Sequence, residues 1–504
     1  MAHPDPLSPW GDDPPSFHWY ADGAWREPSA GGWIDSDDPT RGAVWARVPR
    51  CAEADVEIAV AAAHRAATTG PFARMSAADR GRLLRRMGDA VRANADALGR
   101  VETRDNGKDL AGVQFGLKTW LADSFDYYAG LADKIEGAVI PAEAADILNY
   151  TKREPFGVAA CVTAWNSPLL IAIWKISAAL AAGNAVVLKP SEHASVSTLA
   201  LMSALEAADP PPGLLNVVTG FGTEAGAALI THDKVGVVSF TGGSAGGRAA
   251  AALAAQAPKP CILELGGKSP QLVLEDADLE LAARGVANGI FPPAGQSCIA
   301  GSRALVHRDL HDKFVERLCA IAGRARIGDP ADPRTHIGPI ANRPHFERIL
   351  SAVAAASAEG ANCVLGGEAV SPKGCDGWFV GPTIFTGVRP EMGVARDEIF
   401  GPVLAVMPVE DDAQAVAIAN DSPFGLAAGV WTRDAARALR LADQLDAGTV
   451  YVNTYFGSAP QSPTGGFKQS GYGKENGVEG LFAFTQTKSV WLSTRPEQPD
   501  PFGD

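Results

Sequence analysis

Between Val158 and Glu264, short apolar runs alternate with amphipathic segments, and this alternation limits the possible folds more than any other feature of the chain. Val158 to Val162, Ala185 to Leu188, Leu214 to Val218, Val235 to Phe240 and Cys261 to Leu265 read as strands, with helical segments between them. A strand, a helix and another strand repeated at this spacing build a parallel sheet, because the crossover returns each strand in the same direction as the last. The fold predicted here is α/β, with a sheet covered by helices in the manner of nucleotide-binding domains.

The chain has 504 residues, too many for one core, and about 150 residues per domain suggests roughly three units. Helical patterns run from Ala52, from Ala77 to Val101 and from Gln114 to Leu131. A second α/β region has candidate strands at Ser269 to Val273, Arg303 to Val306, Val403 to Pro408 and Val450 to Asn453, with a helix at Asp309 to Ala322. Gly457 to Gly477 reads as a loop and Phe484 to Ser493 as an edge strand.

A net charge of −14 argues against nucleic acid or an anionic membrane as partner, since both require a positive surface. The seven cysteines, at 51, 161, 261, 298, 319, 363 and 375, show neither CxxC spacing nor a Cys/His cluster. They predict reduced thiols, a cytoplasmic location and no metal. Residues 1–16 read as a flexible arm without a secretory signal. The apolar stretch from Leu169 to Leu188 is broken by Lys175 and Gly183-Asn184, so it reads as a buried helix, a turn and a strand rather than a membrane span.

Two short signatures carry chemistry: Glu264-Leu265-Gly266-Gly267-Lys268 and, with its cysteine 34 residues after Glu264, Gly295-Gln296-Ser297-Cys298. A thiol can attack a carbonyl and a carboxylate can activate water, which together form and then hydrolyse a thioester. Glu264 ends an apolar run, where a carboxylate is costly unless it has a partner or a task; an ion pair with Lys268 is the structural alternative. Asn166, in Trp165-Asn166-Ser167-Pro168, taken alone is a turn residue.

These motifs, in this order, resemble the NAD(P)-dependent aldehyde dehydrogenase superfamily from about Phe17 to Trp491. The resemblance implies Cys298 as nucleophile, Glu264 as general base, Asn166 as an oxyanion donor, and Lys175 and Glu475 as a proton relay. It also implies a cofactor domain (17–133 and 157–266), a catalytic domain (267–479), a bridging arm (134–156 and 480–495), a tail (496–504), and a homodimer or homotetramer.

Gly220-Phe221-Gly222-Thr223-Glu224-Ala225-Gly226 mimics a dinucleotide fingerprint but has one residue too many. Thr241-Gly242-Gly243-Ser244, between a strand and an Ala-rich helix that includes Gly247, is the better phosphate site. Gly243 stands where the family often has a serine hydroxyl, leaving backbone N–H groups for the phosphate. Lys189-Pro190-Ser191-Glu192 matches the adenosine-ribose segment, and Glu192 would repel a 2′-phosphate, which favours NAD over NADP. Glu398 and Phe400 match the segment around the nicotinamide ribose, and Trp165 and Leu265 complete the implied cofactor set.

Ser167, Ser458 and Thr464 occupy positions that often hold rings around the aldehyde, while Trp174, Leu170 and Ile299 remain as an apolar wall. The wider tunnel, with no arginine near Trp174, predicts a bulky, mostly neutral aldehyde and a poor quaternary-ammonium cage. Two other classes stand beside this reading: a thiol esterase without redox turnover, and a catalytically silent homologue.

Overall fold

The computed structural model describes residues 3–8, 10–11, 13–495 and 500–503. Most of the 496–504 tail lies outside these. The described part of residues 1–16 lies against the body: the His3 ring stacks on Trp25 at 4.1 Å, Trp10 meets Trp45 edge-on at 5.0 Å, and Asp5 accepts from Ser203 at 2.9 Å.

The parallel sheet predicted from the alternation is present, and it is larger than the five runs suggested. Its eight strands lie in the order Ala24–Arg26, Trp19–Ala21, Leu215–Val217, Ala185–Lys189, Val158–Val162, Val237–Thr241, Cys261–Glu264 and Gly471–Tyr472. The five central strands are parallel, and the added edges pair antiparallel. These edge strands have only two or three residues, too few for alternation to show. Even so, Asp22-Gly23, both with positive φ, is a hairpin signal that the sequence displays.

The long helical patterns at Ala77–Val101 and Gln114–Leu131 each resolve into two helices. Ala77–Ala93 and Ala95–Asn106 meet at Asn94, and Leu110–Lys118 and Asp123–Leu131 are separated by a turn. Gly107, at φ +80°, ends the second of these helices and turns the chain toward Lys108. Helix Pro168–Ala182 starts with proline at its first turn, ends at Gly183 in the left-handed region, and buries 13 of its 15 residues. The two residues that keep accessible surface, Leu170 and Trp174, lie four apart and so on one face.

A second sheet of seven strands runs Asn362–Leu365, Thr383–Thr386, Val403–Val409, Arg303–His307, Pro270–Val273, Ala427–Trp431 and Thr449–Val452, parallel except for its first pair. Each sheet has its own apolar core. The first core reaches Ile262 and regains Leu481 and Phe484 from the C-terminal end, while the second begins at Leu272. The segment between, Glu264–Lys268, is therefore a seam. Buried Ser470 ties it by accepting from Gly425 N–H, donating to the Gly266 carbonyl at 2.6 Å and receiving Leu265 N–H on its own carbonyl.

Thr485–Ser493 pairs along its length with Ile147–Pro155, which also pairs with Val139–Ile140, forming a separate three-stranded sheet. Val139 and Trp491 on it are 72% and 68% exposed. Among the described residues no helix is long and apolar enough to cross a membrane.

Candidate active site

Glu264 is the last residue of its strand and Cys298 lies in the loop before Arg303–His307. Glycines bring the two segments together. A Cβ on Gly267 would come within 2.5 Å of the Cys298 carbonyl oxygen, and one on Gly295, at φ +69°, within 1.8 Å of the Gly401 oxygen. No side chain fits at either position, so the base segment, the thiol loop and the Phe400–Gly401 loop interlock through backbone.

The thiol loop is anchored by Gln296, whose amide donates to the Pro339 carbonyl at 3.2 Å and accepts Ala341 N–H at 2.9 Å. Asn166 reaches the same loop: its amide donates to the Gln296 carbonyl at 3.1 Å. An amide nitrogen carries two N–H groups, so one stays free for an oxyanion near the thiol.

Burial, with Glu264 and Glu398 nearby, pushes the Cys298 thiol up to about 12. Burial, and then the Glu475 carboxylate, hold the Glu264 carboxyl well above the ordinary range, while Lys175 and Lys474 pull it down. One Glu264 oxygen is buried without a hydrogen-bond partner among the described residues. At neutral pH the site therefore stores Cys298 as a thiol, beside a Glu264 carboxyl that holds its proton more tightly than an exposed one. Behind Glu264, Lys175 pairs with Glu475 and donates to Ser239 Oγ at 2.7 Å, all three groups being buried.

The predicted cofactor residues gather along the carboxyl ends of the parallel strands. Lys189 ends Ala185–Lys189 and lies 3.4 Å from Glu192, while Ser191 Oγ accepts the His193 N–H. The discounted Gly220–Gly226 segment packs beside this pair, with a Cβ on Gly226 falling 3.7 Å from the Lys189 stem. After Val237–Thr241, the helix Ser244–Ala255 begins with Gly243 as N-cap, without a side-chain cap. A Cβ on Gly243 would meet nothing within 4 Å, and the Thr241 and Ser244 hydroxyls are buried without partners. Free N–H groups, orphaned hydroxyls and open space at a helix start fit a pyrophosphate.

Gly242 lies against the Phe240 ring, and Gly247 lets that helix pack on Leu265. Glu398 accepts Gly267 N–H at 2.9 Å, and Phe400 meets Trp165 edge-on at 5.4 Å. His345, which the sequence reading did not single out, donates or accepts at the Phe400 carbonyl at 2.7 Å and lies 5.0 Å from Trp165.

The predicted pocket residues do not form one group. Leu170 and Trp174 share a helix face, and the Ile299 carbonyl accepts the Tyr455 hydroxyl at 2.9 Å. Ser458 is exposed next to Gly457, whose carbonyl accepts Tyr451. Thr464 is bound backbone to backbone to Glu475, on the relay side. Ser167 accepts a 2.6 Å hydrogen bond from Lys108, a cation supplied by a different element from the helix where an arginine was sought. The Asn106-Gly107-Lys108 turn gives no sequence sign of this beyond being a turn.

Residues 25–490 match the model of the aldehyde dehydrogenase family. The chain is 40% identical to the aldehyde dehydrogenase homologue DhaS of Bacillus subtilis (strain 168), over 94% of this chain and 95% of that one. Among solved structures it resembles betaine aldehyde dehydrogenase from Staphylococcus aureus in complex with NAD+, at 37% identity and a TM-score of 0.94, covering 97% and 96% of the two chains. It also resembles the NAD+ complex of an aldehyde dehydrogenase from Bacillus cereus, at 38% identity and a TM-score of 0.92, covering 95% and 96%.

Proposed function

The chain belongs to the aldehyde dehydrogenase family, and from that premise we propose that it oxidises a bulky aldehyde bearing polar substituents to the free acid, with NAD as cofactor. The observation that carries this is the seam: nucleophile, base, oxyanion donor and cofactor cradle converge where the two cores meet.

Lys189 and Glu192 would hold the adenosine ribose, the start of Ser244–Ala255 the pyrophosphate, and Glu398 the nicotinamide ribose. When bound, the nicotinamide ring accepts the hydride that leaves the substrate carbon. The protein's own work is as follows. Cys298 gives up its thiol proton to solvent as Sγ adds to the carbonyl carbon, and Asn166 Nδ2 with the Cys298 N–H stabilises the oxyanion, a type of contact in which one donor is worth about 10²–10³ in rate. Loss of hydride leaves a thioester. Ionised Glu264 then takes a proton from water as the water oxygen attacks; the C–S bond breaks, and the acid leaves. Lys175, Ser239 and Glu475 form the route by which that proton leaves Glu264.

An ammonium at Lys108 disfavours a quaternary-ammonium substrate, so the substrate of the betaine aldehyde dehydrogenase is not carried over to this chain. The exposed apolar residues of the three-stranded sheet support a homo-oligomer built through that arm.

NADH formation across an aldehyde panel tests the proposal. Benzaldehyde should exceed acetaldehyde in kcat/KM by about 30-fold, the worth of roughly 2 kcal/mol of buried ring. Cys298→Ala should lose all turnover while still binding NAD. A best substrate as small as acetaldehyde would refute the roomy tunnel, and turnover in Cys298→Ala would refute the thiol chemistry.

A further inference from the structure

We propose that Lys108 and Ser167 together form a subsite for an oxygen anion on the substrate, so that the preferred bulky aldehydes are those carrying a carboxylate. This rests on the tunnel beside Cys298 proposed above and replaces the mostly neutral occupant expected from the sequence with an anionic one.

The geometry begins with the turn after Ala95–Asn106. Asn106 Nδ2 donates to the Trp165 carbonyl at 3.2 Å and lies 3.5 Å from that of Asn166, and Lys108 Nζ donates to Ser167 Oγ at 2.6 Å. The turn thus lies along the three residues that include the oxyanion donor, placing an ammonium one residue beyond it. Ser167 stands at the N-cap of the helix whose open face carries Leu170 and Trp174, and Ser167, Lys108, Asn166 and Cys298 all keep some accessible surface as residues.

An ammonium has three N–H donors. Among the described residues, Lys108 spends one, on a neutral hydroxyl, and no carboxylate lies within 4.0 Å of it. Burial lowers the Lys108 ammonium from its ordinary value, and Glu102, then Asp109 and Cys298, pull it back up. Glu102 is buried and pushed up to about 7, so near neutral pH it balances the ammonium only in part. A buried cation with unspent donors beside the proposed tunnel favours an anionic acceptor over a neutral one. Serine at 167 supplies the acceptor that holds Lys108 Nζ beside the start of this helix; a ring there could not accept the hydrogen bond.

The experiment compares kcat/KM for benzaldehyde with that for 3- and 4-carboxybenzaldehyde, which share the ring and differ in charge. In the parent enzyme at least one carboxylated aldehyde should be favoured by about 10- to 100-fold, the range of a charge-assisted hydrogen bond. Lys108→Met should collapse that ratio, Lys108→Arg should restore part of it, and Ser167→Phe, which keeps the lysine, should collapse it as well. A ratio near one in the parent, an unchanged ratio in Lys108→Met, or equal losses on both substrates would each overturn the assignment, the last by showing that Lys108 only braces the 165–167 segment. The benzaldehyde-to-acetaldehyde ratio is read in the same assays and tests the tunnel's size separately.

Discussion

The two sheets supply their functional groups by different means. The eight-stranded sheet works through strand ends: Glu264, Lys189 and the Thr241–Gly243 turn each stand at the carboxyl end of a parallel strand, where the ladder fixes direction to within a residue. The seven-stranded sheet works through loops, with Cys298, Glu398, Phe400 and Ser458 all lying outside its strands. The loops are also where the backbone is strained. Among the described residues, six of the eight non-glycine positions with positive φ fall at or after Ala294, and they include Ala294, Phe400 and Phe456. Each costs about 1–2 kcal/mol, stability given up to aim a side chain. Groups on strand ends are held by the ladder, whereas groups on loops are held by close contact with other loops.

Three tests, with four substitutions between them, would sharpen or break this contrast. Glu264→Gln removes the proposed strand-end base without disturbing the thiol loop, so hydrolysis of the thioester should fall by about 10²–10⁴ while its formation survives. Stopped-flow NADH traces should show a burst followed by slow turnover, and an undiminished steady state would remove Glu264 from the role of base.

Gly295→Ala should do the reverse, because its Cβ would collide with Gly401 and shift the loop that aims Cys298. Thioester formation should slow by about 10²-fold, the cost of roughly 1 Å of misplacement, while NAD binding and the hydrolysis of preformed thioester persist. If hydrolysis proves as impaired as formation, the two regions are not separable.

The smallest effect concerns pH. Glu264 is held high by burial first and by Glu475 second, so its basic form, and with it hydrolysis, appears only as pH rises through that elevated value. Glu475→Gln removes a neighbouring negative charge, which lowers the Glu264 value and should move the acidic limb of the hydrolysis rate to lower pH. Lys175→Met removes a stabilising positive charge and should move it to higher pH. Limbs that stay in place, or move in the opposite directions, would detach this pair from the base.

Much of the cofactor sheet was legible in the sequence because buried parallel strands are apolar at every position and separated by helices, a local pattern. Its edges were not, since Trp19–Ala21 and Gly471–Tyr472 are too short to show a period and are strands only because a neighbour pairs with them. The motifs around Cys298, Glu264 and Asn166 could be read because each is a short contiguous segment that resembles the aldehyde dehydrogenase family. The tunnel was harder to read: Ser167 was visible as a small residue, but its environment was inferred from its own helix, and the cation beside it comes from another.

By itself the sequence determined two α/β units, the thiol and carboxylate that can make and hydrolyse a thioester, and the strand-to-helix turns suited to a dinucleotide, because periodicity and turn chemistry are short-range properties. Only the tertiary structure decided that Lys175 faces Glu475 from 300 residues away and that Lys108 reaches Ser167 across 59. It also decided that Cys298 rests as a thiol near neutral pH and that the proton affinity of Glu264 is raised. Charge pairing and proton affinity depend on which groups share a buried space, and that is set by how the elements pack.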